Sequence, residues 1–450
     1  MTTTAEPAVR PTRRVSAPAW GLGAALAVAA LAMLVPAVTG WNVRVRHFPP
    51  LHADWDPRVG WGTLPAVVVG ALGAQRAVDL AERLPWRRLL LAVFLGGLVW
   101  MLALAYVDGS HGVSTILGTP YEYLRTARRT TDLHATLQEF VSRIPYAAIP
   151  HNWPVHVAGH PPGALLFFVV LVRIGLGSGF AAGIVVTLFA ASTAVAVLVT
   201  GRALGAERLV RRAAPFLVLG PAAIWQCVSA DAMFAAVAAW GIACLALGAT
   251  AATRRATVGW SVLAGLVLGY AVMLSYGLPV MGVLALVVLF LARSWLPLPV
   301  AVVAALLVPL AFAAYGFSYL EALPALHTRY WEAVGGRRPF AYWWWGDLGA
   351  LTFSAGPLAG AGVAVLLRVR SRVVCAETRV VAWLAAAGVA MVLVADASMM
   401  SKAEVERIWL PFVPWVLLSC ALLPETWRRR GLVLQVVVAL VVQHLLSTGW

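Results

Sequence analysis

Between two long apolar runs the chain carries a loop of about seventy residues, 107–178, rich in carboxylates, histidine, arginine and aromatic rings. It opens on Asp108, passes through Tyr121-Glu122-Tyr123 and closes on Gly159-His160-Pro161-Pro162-Gly163. A carboxylate at a lipid–water boundary is partly desolvated, which raises its basicity, so it can take the proton from an attacking hydroxyl or amine. Asp108 directly follows an apolar run; its plainer reading is a helix-terminal acid facing water. A second polar segment, Ser401-Lys402-Ala403-Glu404-Val405-Glu406-Arg407, holds the only lysine of the chain. The planar fork of Arg407, with Lys402 beside it, suits a phosphate whose charge grows in a transition state, although Glu406 and Arg407 also read as an interfacial pair that snorkels. His160 suits a phosphate or acceptor contact, or a hydrogen bond to a turn carbonyl. Asp231, in Ser229-Ala230-Asp231-Ala232, is an acid where a hairpin re-enters an apolar run; function and a helix N-cap compete for it. The string Tyr342-Trp343-Trp344-Trp345 with Asp347 reads first as an interface anchor and second as a sugar-stacking surface.

Composition fixes what must position these groups. The chain is 61% hydrophobic and 12% charged. Apolar runs of about twenty residues recur along its whole length, each sufficient for a ~30 Å hydrocarbon core. This is the pattern of an all-α polytopic membrane protein, not of a β-barrel with short alternating strands. The first apolar run is too long for a cleavable signal. The net charge of +15 does not point to nucleic acid, because the arginines cluster at the ends of apolar runs: Arg10/Arg13/Arg14, Arg83/Arg87/Arg88, Arg208/Arg211/Arg212, Arg254/Arg255, Arg368/Arg370/Arg372 and Arg428/Arg429/Arg430. Cys227, Cys244, Cys375 and Cys420 lie in or beside apolar runs without metal spacing and read as small core residues.

With the N-terminus in the cytoplasm, about thirteen spans (eleven to fourteen) are expected, near 18–40, 62–80, 88–106, 179–200, 213–228, 231–249, 259–275, 277–293, 297–317, 348–367, 380–396, 408–423 and 431–448. This count puts every Arg cluster on the cytoplasmic side. It requires 163–177 to lie at the outer interface as an amphipathic or re-entrant helix. The large loops 41–61, 107–178, 318–347 and 397–407 then all face outward. Residues 121–144 read as a surface helix with Tyr123, Leu124, Leu133, Leu137, Phe140 and Val141 on one face. The twenty tryptophans suit an interfacial belt. Residues 1–17 form a cytoplasmic tail, 18–87 a transmembrane hairpin and 88–450 the main domain.

From about residue 88 onward, the order of Asp108, Glu122-Tyr123, His160-Pro161-Pro162, the Asp231 turn and Ser275-Tyr276-Gly277 resembles the GT-C superfamily of membrane glycosyltransferases. The nearer likeness is to the branch of protein mannosyltransferases and lipid A aminoarabinose transferases. The resemblance implies a GT-C-like fold with interfacial helices in the long loop. It implies sugar transfer from a polyprenyl-phosphate donor to a glycan, lipid or protein acceptor at the outer face of the cytoplasmic membrane, in cell-envelope glycan synthesis. It implies Asp108 as general base; with the residue chemistry above, Arg407, Lys402 and His160 are expected at the donor phosphate, and Glu122, Tyr123, Asp231 and Glu404 in support or acceptor contact. Two features depart from the family pattern. Asp108 is followed by Gly109-Ser110-His111, not by another acid, and the additional hairpin 18–87 brings Asp54 and Asp56, so Asp54 is the alternative catalytic acid.

No phosphate loop, dinucleotide fingerprint or metal-type cluster occurs. A divalent cation on Asp108, Glu122 or Asp231 is compatible with the residues but not required. A transporter or lipid-linked-glycan flippase would need polar groups spread through its spans, and no internal repeat suggests one. A non-catalytic scaffold would tolerate loss of Asp108.

Overall fold

The computed structural model describes residues 16–369 and 375–449. Arg10, Arg13, Arg14, Arg370 and Arg372, and with them nearly all of the expected tail 1–17, lie outside the described residues.

Long runs of Ala, Val and Leu satisfy their backbone polar groups internally as helix, the form a chain must take in hydrocarbon. Among the described residues, eight helices are long and apolar enough to cross a membrane: Ala17–Thr39, Thr63–Arg83, Trp86–Asp108, Gly179–Ala203, Ala230–Ala249, Arg254–Leu274, Pro297–Ala314 and Ala376–Ala397. They coincide with eight of the expected spans, and the protein is an all-α polytopic membrane protein. The other five segments are shorter, broken or more charged, and prolines account for most of this, since proline removes a donor and clashes with the preceding turn. Glu207–Val218 stops before Gly220-Pro221 and resumes as the single turn Ala223–Gln226. Phe340–Ser354 and Leu358–Leu366 meet at 109° across Gly356-Pro357. Around Pro411 and Pro414 the chain breaks into Val405–Ile408, Val413–Leu417 and a 3-10 turn, Leu418–Leu422. Leu278–Ala292 is apolar but short. Glu425–Leu445 is continuous, but its first turns carry Arg428, Arg429 and Arg430.

The helix Pro162–Arg173 has 12 residues, about 18 Å at 1.5 Å per residue, too short to cross a ~30 Å core. The single surface helix expected over 121–144 is not formed. Two short helices, Tyr123–Arg129 and Leu133–Gln138, flank a break at Thr130-Thr131, where Asp132 caps the second through its carboxylate. β-Branched residues before a good N-cap residue explain the interruption. The expected apolar face survives the break: Tyr123, Leu124, Leu137 and Phe140 are all buried. Cys227, Cys244 and Cys420 are buried as expected, whereas Cys375 is exposed. Trp100, Trp225, Trp343, Trp409 and Trp415 are core residues and not part of an interfacial belt.

The bundle has two chemically distinct ends. At one, the arginines tie helix ends together: Arg211 donates to the carbonyls of Ala81 and Leu84, Arg428 pairs with Glu82 at 3.0 Å, Arg429 with Asp79 at 2.7 Å and Arg208 with Glu377 at 2.9 Å. At the other, the large loops interlock. Arg329 donates to the carbonyls of Ile144 and Trp153, Trp343 to that of Val43 and Tyr342 to that of Ala32. Two short antiparallel strands, Asp54–Trp55 and Leu446–Ser447, join the first loop to the end of the chain. Helix Ala17–Thr39 packs so closely on Leu358–Leu366 that neither Gly21 nor Gly360 has room for a Cβ, the close backbone approach that small residues permit in membranes.

Candidate functional site

Nine charged side chains are buried among the described residues: Glu122, Asp231, Arg329, Arg338, Asp347, Lys402, Glu406, Arg407 and Arg428. All except Arg428 stand at the looped end.

Four of the eight, Glu122, Asp231, Arg338 and Arg407, join with Glu404 and His156 in one ionic set built from separate stretches of chain. Arg407 donates to Asp231 at 2.6 Å and to Glu404 at 2.8 Å, and its NH2 lies 3.5 Å from His156 Nε2. Glu404 also accepts from Arg338 at 3.0 Å. His156 Nδ1 sits 2.7 Å from Glu122, whose side chain is 2% exposed. Because a guanidinium only donates, its approach to Nε2 favours the tautomer in which Nδ1–H donates to Glu122. Burial pulls the Arg407 guanidinium down, but Asp231 and Glu404 outweigh it and leave it more firmly protonated than usual. Burial likewise pushes the Glu404 carboxyl up, but Arg407 and Arg338 hold it well below the ordinary range.

The backbone is shaped to deliver Glu404. Ala403 and Glu404 both lie in the left-handed region, at φ 63° and 61°, a conformation that costs a non-glycine residue on the order of 1 kcal/mol or more. Fixed contacts hold it there. Asp347 accepts from the Ala403 amide at 2.9 Å, Arg338 donates to the Lys402 carbonyl and Tyr330 accepts from the Lys402 amide at 3.0 Å. Lys402 is part of this brace and not of the ionic set: its Nζ donates to the Gly335 and Arg338 carbonyls and lies 4.3 Å from the Trp331 ring centre.

Asp231 is not the helix N-cap. Ser229 takes that task, accepting from the Ala232 amide at 3.2 Å, which leaves the Asp231 carboxylate for Arg407. His160 is set back from the ions: its Nδ1 is 2.8 Å from both the Tyr123 hydroxyl and the His156 carbonyl, and its ring packs on Phe234. Burial lowers the His160 pKa, favouring neutral imidazole, and raises that of Tyr123 well above normal.

Asp108 stands outside this set. Arg58 grips it through Nε and NH2, and Gln443 donates to Oδ2 at 2.9 Å. Its side chain keeps 31% exposure, so solvent reaches the carboxylate. Asp54 is tied to His47 at 2.7 Å and Arg46 at 3.5 Å, and the His47 hydrogen bond holds its carboxyl below the usual range. Of the aromatic string, Tyr342 and Trp343 are buried ties, and Trp344 is exposed.

Glu406 is the anomaly. It is 1% exposed, and neither carboxylate oxygen has a hydrogen-bond partner from another described residue. Burial pushes it up to about 7. Among the described residues no group of three or more His, Cys, Asp and Glu is arranged to hold a metal ion.

The structure thus joins Glu122, Asp231, Glu404 and Arg407, places Tyr123 and His160 behind them, turns Lys402 away and sets Asp108 apart. The sequence reading missed His156, Arg338, Arg58 and Gln443. His156 had a signal, its helical i,i+4 spacing to His160 before the proline pair; the other three come from distant stretches with no local mark. No family model matches the chain, and no curated protein matches it significantly.

Proposed function

We propose that the protein is a glycosyltransferase of the cytoplasmic membrane, with the looped end outside and the Arg-rich end in the cytoplasm, and that it uses a polyprenyl-phosphate sugar. The acceptor hydroxyl or amine attacks the anomeric carbon as Asp108 takes its proton. The bond from that carbon to the phosphate oxygen breaks, and the polyprenyl phosphate leaves with the electron pair. Arg58 and Gln443 orient Asp108 while solvent access leaves room for an acceptor. The donor phosphate replaces Glu404 on Arg407. On this reading thirteen passes, several of them broken, make a GT-C-like bundle.

One observation carries the proposal: among the described residues, eight of the nine buried charged side chains gather at the end that also holds Asp108, and the helices between the two ends bury only Thr, Ser and Gln as polar groups. A flippase or ion-coupled transporter would need charge along the path. Surface chemistry needs it at one end.

The test is transfer from a labelled polyprenyl-phosphate sugar by the protein in nanodiscs. Asp108→Asn keeps the shape and removes the base, so activity should fall about 10²–10⁴-fold at unchanged folded yield. Full activity in Asp108→Asn, with loss in Asp54→Asn, would move the base to the first loop. Absence of transfer together with lipid flipping in vesicles would favour the transporter.

A further inference from the structure

A polar cavity of about 490 Å³ opens within the loop 107–178. Its walls are the helices Tyr123–Arg129 and Leu133–Gln138, the break between them and the strap 150–154. The strap is fixed in place. Arg143 stacks 3.5 Å from the Trp153 ring centre, pairs with Glu139 at 2.7 Å and donates to the His151 carbonyl. The Trp153 indole donates to the Phe140 carbonyl at 2.8 Å, and Arg329 reaches across from another loop to the Trp153 carbonyl. A cavity walled this way exists before a ligand arrives, which reduces the ordering cost of binding.

Its chemistry selects the ligand. The side chains of Arg129, Thr131, His151 and Asn152 line the cavity and make no hydrogen bond among the described residues. They offer donors and acceptors at several angles. The charges in the wall balance, Arg129 and Arg143 against Asp132 and Glu139, so an anionic ligand gains no net attraction. The space far exceeds the ~30 Å³ share of one water and falls within the range of organic ligand sites. No unpaired strand edge is present in the wall to pair with a peptide. The location adds a direction. Helix Tyr123–Arg129 starts beside Glu122 in the ionic set and ends at Arg129 in this wall, 7 residues away, or about 10 Å.

We propose that this cavity is an acceptor subsite for a neutral, polyhydroxylated ligand, a glycan segment seated on Arg129, Thr131, His151 and Asn152. The proposal rests on the glycosyl-transfer reading for the word acceptor, but its test needs no donor. The full-length protein in nanodiscs is titrated with maltohexaose, cellohexaose and mannohexaose, with oligogalacturonate as an anionic probe and a Ser/Ala hexapeptide as a peptide probe, and binding is read by saturation-transfer NMR. At least one neutral hexasaccharide should bind, and Arg129→Ala and Asn152→Ala should each weaken it about ten-fold. Both side chains are on the surface of the cavity, so unchanged thermal melting should show that folding is intact. Binding of none of the neutral sugars, preference for the anionic oligomer or the peptide, or binding unaffected by both substitutions would overturn the proposal. Loss of sugar binding in Arg129→Ala and Asn152→Ala, with binding intact in Asp108→Asn, separates this subsite from the reaction centre. If the cavity binds sugar and no transfer is ever seen, the glycosyl-transfer reading fails while the sugar site stands.

Discussion

Arg407 lies between Asp231 and Glu404 almost out of reach of water, so its removal strands the buried Asp231 carboxylate and leaves half-buried Glu404 with Arg338 alone. Breaking such a pair from one side costs roughly 3–5 kcal/mol, and Arg407→Ala should lower thermal stability by that order. Arg407→Lys should recover only part, because an ammonium keeps the charge but not the fork that spans two acids. If Arg407 also meets the donor phosphate, the Lys variant, once folded, should bind donor about ten- to a hundredfold more weakly, the worth of a charge-assisted bond. Unchanged donor affinity per folded molecule would restrict Arg407 to holding the loops together. Glu406 gives the opposite sign. Its folded pKa, about 7, lies above the 4.5 ordinary for a glutamate, so the folded state holds this proton more tightly than the unfolded one. Its contribution is neutral below about pH 4.5, turns unfavourable as pH rises through the window and reaches its full penalty above about pH 7, on the order of 3 kcal/mol. Glu406→Gln should therefore raise the melting temperature at pH 8 and hardly change it at pH 5. An equal gain at both pH values would mean that Glu406 is not a buried, protonated acid.

At the scale of elements, the sequence shows where helices run better than where they bend. The 109° bend at Gly356-Pro357, where glycine takes φ 76°, falls inside the expected span 348–367, which ran through it unbroken. The bend also frees backbone groups that cannot go unpaired in an apolar interior. Gln435, 80 residues from one of its partners, resolves this: its amide donates to the Ala355 carbonyl at 2.8 Å and accepts from the Leu358 amide at 3.4 Å. Nothing local in the run around Gln435 announces that role. Gln435→Leu should cost about 1–3 kcal/mol, the penalty for leaving a buried polar group unmet, seen as a lower melting temperature; unchanged stability would show that the bend satisfies itself. The site was legible to the same degree. Asp231 stood out because an acid beside an apolar run is expensive, Glu122 through the order of motifs and Glu404 through the polar segment 401–407. Their partners did not, because Arg338 and Arg58 look like any interfacial arginine until the loops meet. The break at Thr130-Thr131 was missed because the apolar face of 121–144 continues across it.

Over the whole molecule, charge asymmetry is the property that both function and orientation depend on. The Arg-rich end ties helix termini with Arg–carboxylate pairs, and the looped end buries its ions in a set. On the proposed orientation, which follows the positive-inside rule, the first faces the cytoplasm. The protein carries its own reporter of that assignment: Cys375 is exposed beside Arg208 and Glu377, and the other three cysteines are buried. A membrane-impermeant maleimide added to intact cells should leave the wild-type chain unlabelled and label it once the membrane is opened. With Cys375 replaced by serine, His134→Cys places a thiol on the exposed surface of the loop 107–178 and should be labelled without opening the cells. Labelling of Cys375 from outside, with His134→Cys protected, would invert the protein. Asp108 and the Arg407 set would then face the cytoplasm, where soluble nucleotide sugars are available, and the case for a lipid-phosphate donor would lose its physical basis.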